Sequence, residues 1–454
     1  MLASESLRIC AGFHPAAGRA GKPKLIVTPT GRHAVLLQAP TRSPVTAPSP
    51  QPEPAGTTPL HGVRVIDVGN FLAGPYAATI LGEFGAEVIK VEHPDGGDPM
   101  RRFGTATAQP NATLKWLSES RNKKSVTCDL RQADGVALFL KLVAKSDVLV
   151  ENFRPGTMES WGLGWDVLRA ANPQLVVLRV TGYGQTGPYR RRSGFAHIAQ
   201  AFGGLNYLAG FPGETPVLPG TVPLGDYIAS LFGAIGVMIG LRHAERTGRG
   251  QVVDVGIYEA VFRVLEEIAA AYGLNGTVRE REGSGSFVAC PHGHFRCRNG
   301  KWIAIACTTD KMFERLAAAM GRPELASPEQ YGPQRKRLAA RDTVNRIVTE
   351  WVGAHDRPEI LDRCLAEEVP AGKVNSIADI FADEHFAARG NLARVDAPGL
   401  GEVVVPGVVP RLSATPGRIT HLGPALGDAT HEVLTTLLGI SAEELRRLQT
   451  QRVI

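Results

Sequence analysis

From residue 60 onward, short apolar runs alternate with amphipathic stretches. VRVIDVG (63–69) is a β-branched run, PYAATILGEFG (75–85) reads as a helix opened by proline, and AEVIKVE (86–92) reads as a second strand. The rhythm repeats with a helix over 133–146, a strand over 147–152, a helix near 157–171 and a strand over 174–180. Strands and helices alternating at this spacing predict parallel pairing with helices on both faces. The fold class is therefore α/β, with a large Rossmann-like domain.

The stretch from Asp226, YIASLFGAIGVMIGLRHAERTGRG, predicts a long helix rich in Gly and Ala that ends in basic residues and glycine. Small side chains allow close backbone approach, so deep burial is expected. GQVVDVGIYEAVFRVLEEIAAAYG repeats the strand-to-helix pattern. After about residue 275 the rhythm changes to a glycine-punctuated loop and a hairpin, SGSFVACPHGHFRCRNGKWIAIACTTD, which predicts a second, smaller α+β domain. The resulting division is an extension over 1–58, a large domain over 59–275, a small domain over 276–390, and a closing segment over 391–454 that returns to the large domain.

At 454 residues and 43% hydrophobic content the chain can bury substantial cores. No run approaches the roughly 18 consecutive apolar residues of a membrane span, so no membrane partner is expected. Six scattered cysteines in a long chain predict a reducing compartment rather than a disulfide framework. Residues 1–58 carry six basic and two acidic residues, a net +4 of the chain's +6, and are crowded with proline. They read as a disordered extension. The body that remains has no basic block of the nucleic-acid-binding kind, so no nucleic-acid partner is expected. The expected location is cytoplasmic, or mitochondrial if the extension is a transit peptide.

A strand–turn–helix unit with Glu92 ending its second strand invites a dinucleotide reading. The turn, GNFLAGP, lacks the G-x-G-x-x-G that brings backbone close to a pyrophosphate, and that reading loses its main support.

Six motifs in order carry a resemblance: FLAGPYAATILGEFGAEVIKVEHPDGGDPMR, RNKKSVTCDLR, VENFRPGTMESWGLGW, TGYGQTGPYRRRSGF, PLGDYIAS and RTGRGQVVDVGIYEA. Together they resemble the class III CoA-transferases, the CaiB/BaiF family that also holds the α-methylacyl-CoA racemases, over about residues 60–450. The resemblance implies a CoA-transferase with Asp226 of the LGD motif as nucleophile. It implies that CoA is held by Leu72 and Ala73, His93, the segment Cys128, Asp129, Leu130 and Arg131, and Asn152, Phe153 and Arg154, with Phe195 and Ala196 along the thioester. It also implies an interlocked dimer, of identical chains or with a paralogue. CoA thioester is then a substrate, and no permanent cofactor or metal is called for. Among relatives, the segments around residues 183–195 and 290–313 look most like enzymes that take CoA from succinyl-CoA to a small dicarboxylic acid.

The residues make chemical sense beside that precedent. Coenzyme A carries a 3′-phosphate and a pyrophosphate, and Arg121, Lys123, Lys124, Arg131 and Arg154 are candidate counter-charges near the sheet's carboxyl ends. Arg190, Arg191 and Arg192 are candidates for an acceptor carboxylate or a solvated basic loop. Asp226 opens a helix, where a carboxylate stays anionic and can attack a thioester; the bland alternative is a plain helix cap. In the racemases a His–Asp pair occupies the positions of Phe195 and Ala196, and neither residue here moves a proton, which favours transfer over racemisation. Leu72 stands where formyl-CoA transferase has a glutamine, which argues against formyl or oxalate specificity. Cys290, His292, His294 and Cys297 do not have standard zinc-ligand spacing; His292 and His294 remain candidates for contact with an acceptor acid.

Overall fold

The computed structural model describes residues 58–454, so the reading of 1–58 lies, but for its last residue, outside the described residues. Six parallel strands form the central sheet: β1 Arg64–Asp67, β2 Glu87–Glu92, β3 Lys123–Thr127, β4 Val148–Glu151, β5 Val176–Thr181 and β6 Val252–Gly256. Their spatial order is β3-β2-β1-β4-β5-β6, all in parallel register. The α/β expectation holds, and the order reverses between β1 and β4.

Alternating residues feed two cores, as a sheet covered on both faces requires. Ile66, Ile89, Val126, Leu149 and Val177 meet the helix Ala133–Val143 on one face; Val65, Val88, Val148, Val176 and Leu178 meet the helices Pro75–Glu83 and Leu224–Thr247 on the other. The closing segment contributes Val433, Leu434, Leu445 and Leu448 to the first core.

The helix Leu224–Thr247 is long and apolar enough to cross a bilayer by length and composition. Here its small-residue face lies on the sheet. A Cβ on Gly233 would come within 2.9 Å of Leu178, and one on Gly240 within 2.8 Å of Val176. The expected deep burial is met on that face only. Leu231, Ile235, Met238 and Ile239 on the other side are exposed and line an apolar groove of about 670 Å³.

Beyond the large sheet, β7 His292–Arg296, β8 Trp302–Ala306 and β9 Ala371–Lys373 form an antiparallel sheet with its own apolar cluster from Cys290 to Val369. A further hairpin, β10 Leu392–Ala397 with β11 Gly401–Pro406, packs Ala397 and Val405 against Leu72 and Trp116.

Candidate active site

Where parallel strand order reverses, the loops leaving the two strands diverge and open a crevice at their carboxyl ends. Here residues 69–74 leave β1 and residues 152–155 leave β4. Asn152 ties the two loops together: its Oδ1 accepts the Asn70 N–H at 2.8 Å, and its Nδ2 donates to the carbonyls of Asn70 at 2.6 Å and Ala73 at 2.7 Å. Phe71 holds a left-handed φ of 58°, uncommon for a residue with a Cβ. Asp98 Oδ1 fixes it there by accepting the Phe71 N–H at 3.0 Å.

The helix that starts at Leu224 aims its first turn into this crevice. Asp226 does not cap it: the cap position is Pro223, no side chain bonds there, and the Asp226 N–H donates to the Pro223 carbonyl at 3.0 Å. The preceding Gly225 has a packing reason, because a Cβ there would sit 3.0 Å from Gln200 and 3.2 Å from Ile257. One turn on, Ser230 Oγ accepts the Gly74 N–H at 3.1 Å and donates to the Leu72 carbonyl at 3.3 Å. The helix is thereby stitched to the β1 loop.

Asp226 Oδ1 is sealed from solvent and has no hydrogen-bond partner among the described residues. Burial pushes its carboxyl up to about 7, partly offset by the Lys115 ammonium. This departs from the expectation that the helix amino terminus keeps it anionic, because among the described residues no backbone N–H is directed at the carboxylate and burial raises its pKa. The result is a poorly solvated carboxylate, which is a stronger nucleophile than one dispersed over hydrogen bonds.

Two cavities meet at this side chain. The first, about 250 Å³, is lined by Asn152, Phe153, Arg154, Ala73, Arg190 and Arg192. The second, about 430 Å³, is lined by Leu72, Phe103, Lys115, Ala196, His197 and Gln200. Phe71, Phe195 and Asp226 belong to both. The Phe71 and Phe195 rings stand edge to face, 6.3 Å between centroids, as a partition between them.

The remaining candidates divide by accessibility. His93 follows β2, and Asp129 and Arg131 follow β3. Asp129 accepts from Arg131 Nε at 2.8 Å and lies 3.5 Å from His93 Nε2, while Arg131 Nη2 contacts His93 Nε2. The arginine's hydrogen bonds hold the Asp129 carboxyl well below the usual carboxylate range. Cys128 and Leu130 are buried in the first core, and burial pushes the Cys128 thiol up to about 12. Their side chains cannot reach a ligand. None of these five residues lines either Asp226 cavity, yet all share the sheet's carboxyl edge with the crevice.

Four of the five expected counter-charges are already paired with acids, Arg131 with Asp129 as above. Lys123 is fully buried against Asp67 at 2.9 Å, Arg121 is buried against Glu83 at 2.5 Å, and Lys124 pairs with Glu87 and Glu432. Arg131 and Arg154 remain at the surface, and the first cavity adds Arg190 and Arg192. Sequence reasoning missed these internal pairings because the acids lie on other strands and helices. His292 and His294 line a different cavity, of about 490 Å³, which shares no residue with the two at Asp226. Cys290 and Cys297 are core residues there. His197 does line the second Asp226 cavity, although the motif gives it no role.

The sequence matches the model of CoA-transferase family III over residues 60–430. It is 76% identical over 396 residues to the succinyl-CoA–L-malate CoA-transferase alpha subunit of Chloroflexus aurantiacus, covering 87% of this chain and 92% of that one. It is 58% identical over 400 residues to the beta subunit from the same organism, covering 88% and 98%. Among solved structures, a CaiB/BaiF family protein from Brucella suis superimposes with a TM-score of 0.75 at 32% identity, covering 84% of this chain and 99% of that one.

Proposed function

The chain belongs to CoA-transferase family III, and from that premise we propose that it moves CoA from succinyl-CoA to a small dicarboxylic acid, malate foremost, through covalent intermediates on Asp226. The observation that carries the reading is the half-buried Asp226, whose Oδ1 is sealed from solvent without a hydrogen-bond partner among the described residues and whose side chain is shared by two cavities. Relatives whose names specify succinyl-CoA and L-malate support the substrate pair.

In the proposed sequence, an Asp226 carboxylate oxygen attacks the thioester carbonyl carbon, the C–S bond breaks, and the CoA thiolate leaves a mixed anhydride behind. The thiolate then attacks the aspartyl carbonyl, breaks its bond to succinate and leaves an aspartyl-CoA thioester. The acceptor carboxylate attacks that same carbon and expels the thiolate. Attack of the thiolate on the acceptor's carbonyl releases the new CoA thioester and regenerates Asp226. No water or proton is consumed, so a site that excludes water conserves the thioester.

CoA is assigned to the carboxyl edge of the sheet. Exposed Arg131 and His93 take its phosphate end, and Arg154, Phe153 and the 69–74 loop, held by Asn152, guide the thioester toward Asp226. Asn152 acts here by position, because its amide is committed to the loop backbone. Assembly with a second chain, identical or paralogous, is part of the proposal. The exposed apolar stripe of Leu231, Ile235, Met238 and Ile239 supports it, as does the existence of alpha and beta subunit relatives.

The test is incubation of the purified protein with succinyl-CoA and a panel of carboxylic acids, with new thioesters read by mass spectrometry. Malyl-CoA formation is expected. Deuterium wash-in at the α-carbon of a 2-methylacyl-CoA, with no transfer to any acid, would instead point to the racemase chemistry that Asp226 and His197 share a cavity to attempt.

A further inference from the structure

We propose that the 430 Å³ chamber beyond the Phe71–Phe195 partition is a distal-carboxylate pocket, in which Lys115 and Gln200 read the second carboxylate of a dicarboxylic acid. The inference deepens the transferase reading and rests on it for the identity of the reacting carboxyl group.

The chamber is mostly apolar, with Phe71, Leu72, Phe103, Phe195 and Val222 among its walls. Its polar side chains are Lys115, His197, Gln200, Thr221 and Asp226. Its volume is that of a small-ligand site. Lys115 is half-buried, and among the described residues no carboxylate lies within 4.0 Å of its ammonium. The ammonium instead sits 5.0 Å over the Phe103 ring, a contact that holds a cation without neutralising it. The usual fate of a cation in this fold is the opposite, as Arg121 and Lys123 show.

Gln200 supplies the second, independent observation. It is 1% exposed, and its Oε1 accepts the Gly225 N–H at 3.2 Å, which fixes the amide orientation. Its Nε2 then has no acceptor among the described residues. A buried amide donor left unpaired is costly, so a ligand that brings an acceptor is favoured at that place. A free cation and an unpaired donor in one chamber define an anionic, oxygen-bearing ligand group, and Asp226 defines where the acid's other end reacts. Selection follows from the mismatch: a monocarboxylic acid of the same length would leave both groups unpaired behind an apolar tail.

The experiment compares malate with 3-hydroxybutyrate, which has a methyl group where malate has its second carboxylate. Calorimetric binding of each acid to the full chain is measured for the wild type, Lys115→Met, Lys115→Arg and Gln200→Leu, together with transfer from succinyl-CoA to each acid. Lys115→Met is expected to weaken malate binding by about 10-fold or more and to raise the malate KM in proportion, with 3-hydroxybutyrate unmoved. Gln200→Leu is expected to do the same to a smaller degree, and Lys115→Arg to restore part of the loss. Equal weakening of both acids, unchanged malate binding in Lys115→Met and Gln200→Leu, or a wild type that does not bind malate would each overturn the proposal. Efficient malyl-CoA formation with an unaltered KM in Lys115→Met would sink the pocket and leave the transferase reading standing. Lys115-dependent malate binding with no malyl-CoA formed by any protein would do the reverse.

Discussion

Ser230 Oγ accepts the Gly74 N–H at 3.1 Å, joining the helix that carries Asp226 to the loop that leaves β1. Ser230 and Asp226 are four residues apart and share one helix face, so the same hydrogen bond that closes the loop sets the height of the nucleophile in the crevice. Because Ser230 is fully buried, Ser230→Ala leaves the Gly74 N–H unpaired, while the Leu72 carbonyl keeps the Tyr76 N–H at 3.0 Å. A loss of about 1–3 kcal/mol in stability is expected by chemical denaturation, with kcat falling more than the KM for acyl-CoA. A variant with native kcat would mean that Asp226 is positioned by other contacts.

Asp226 sets the pH dependence of the first step. Its carboxyl, pushed up to about 7 by burial, is protonated and unreactive below that value. The logarithm of kcat/KM for succinyl-CoA is expected to climb with pH and to level off above about 7. The nearby Lys115 charge opposes the upward push, so Lys115→Met is expected to move the inflection to higher pH. A profile flat from pH 5 to 8 would require the carboxylate to be ionised throughout, contrary to its surroundings.

The same burial carries a stability cost with a definite sign. A carboxyl that binds its proton more tightly when folded loses folding stability as pH rises from its ordinary value of 3.8 to about 7, and carries the full penalty above that. Asp226→Asn does not titrate. It is expected to exceed the wild type in stability by about 1–3 kcal/mol at pH 8 and by nothing near pH 4. Thermal melts at the two pH values check this.

Ile239 is 64% exposed on the apolar stripe of the helix Leu224–Thr247. If that stripe meets a second chain, Ile239→Glu is expected to shift the mass measured by light scattering from dimer toward monomer. A monomeric wild type, or a dimer indifferent to the charge, would remove the stripe from the interface.

The parallel sheet was legible because its strands are short apolar runs with their own helices. Strand β3 was not, since KKSVT presents two lysines; Lys123 is tolerated there only because Asp67, on β1, receives it. The stretch near 157–171 reads as one helix but divides into Thr157–Ser160 and Trp165–Ala171, with Gly162 at a φ of 76° in the break. The motif located Asp226, while its unpartnered state was invisible in sequence, because it depends on Phe71, from the loop after β1, and on Phe195 and Gln200, from the segment of the helix Ala196–Phe202. Lys115 belongs to none of the six motifs, and its place in the chamber beside Asp226 depends on the fold.

Transfer through covalent intermediates requires that Asp226 become acylated. The direct measurement is mass spectrometry of the peptide containing Asp226 after incubation with succinyl-CoA and quenching with hydroxylamine, which converts an anhydride or thioester on the side chain to a hydroxamate. Acylation of Asp226 yields a hydroxamate there that depends on succinyl-CoA and is absent from Asp226→Asn. Turnover of succinyl-CoA and malate with an unmodified Asp226 peptide, or at the native rate in folded Asp226→Asn, would contradict it.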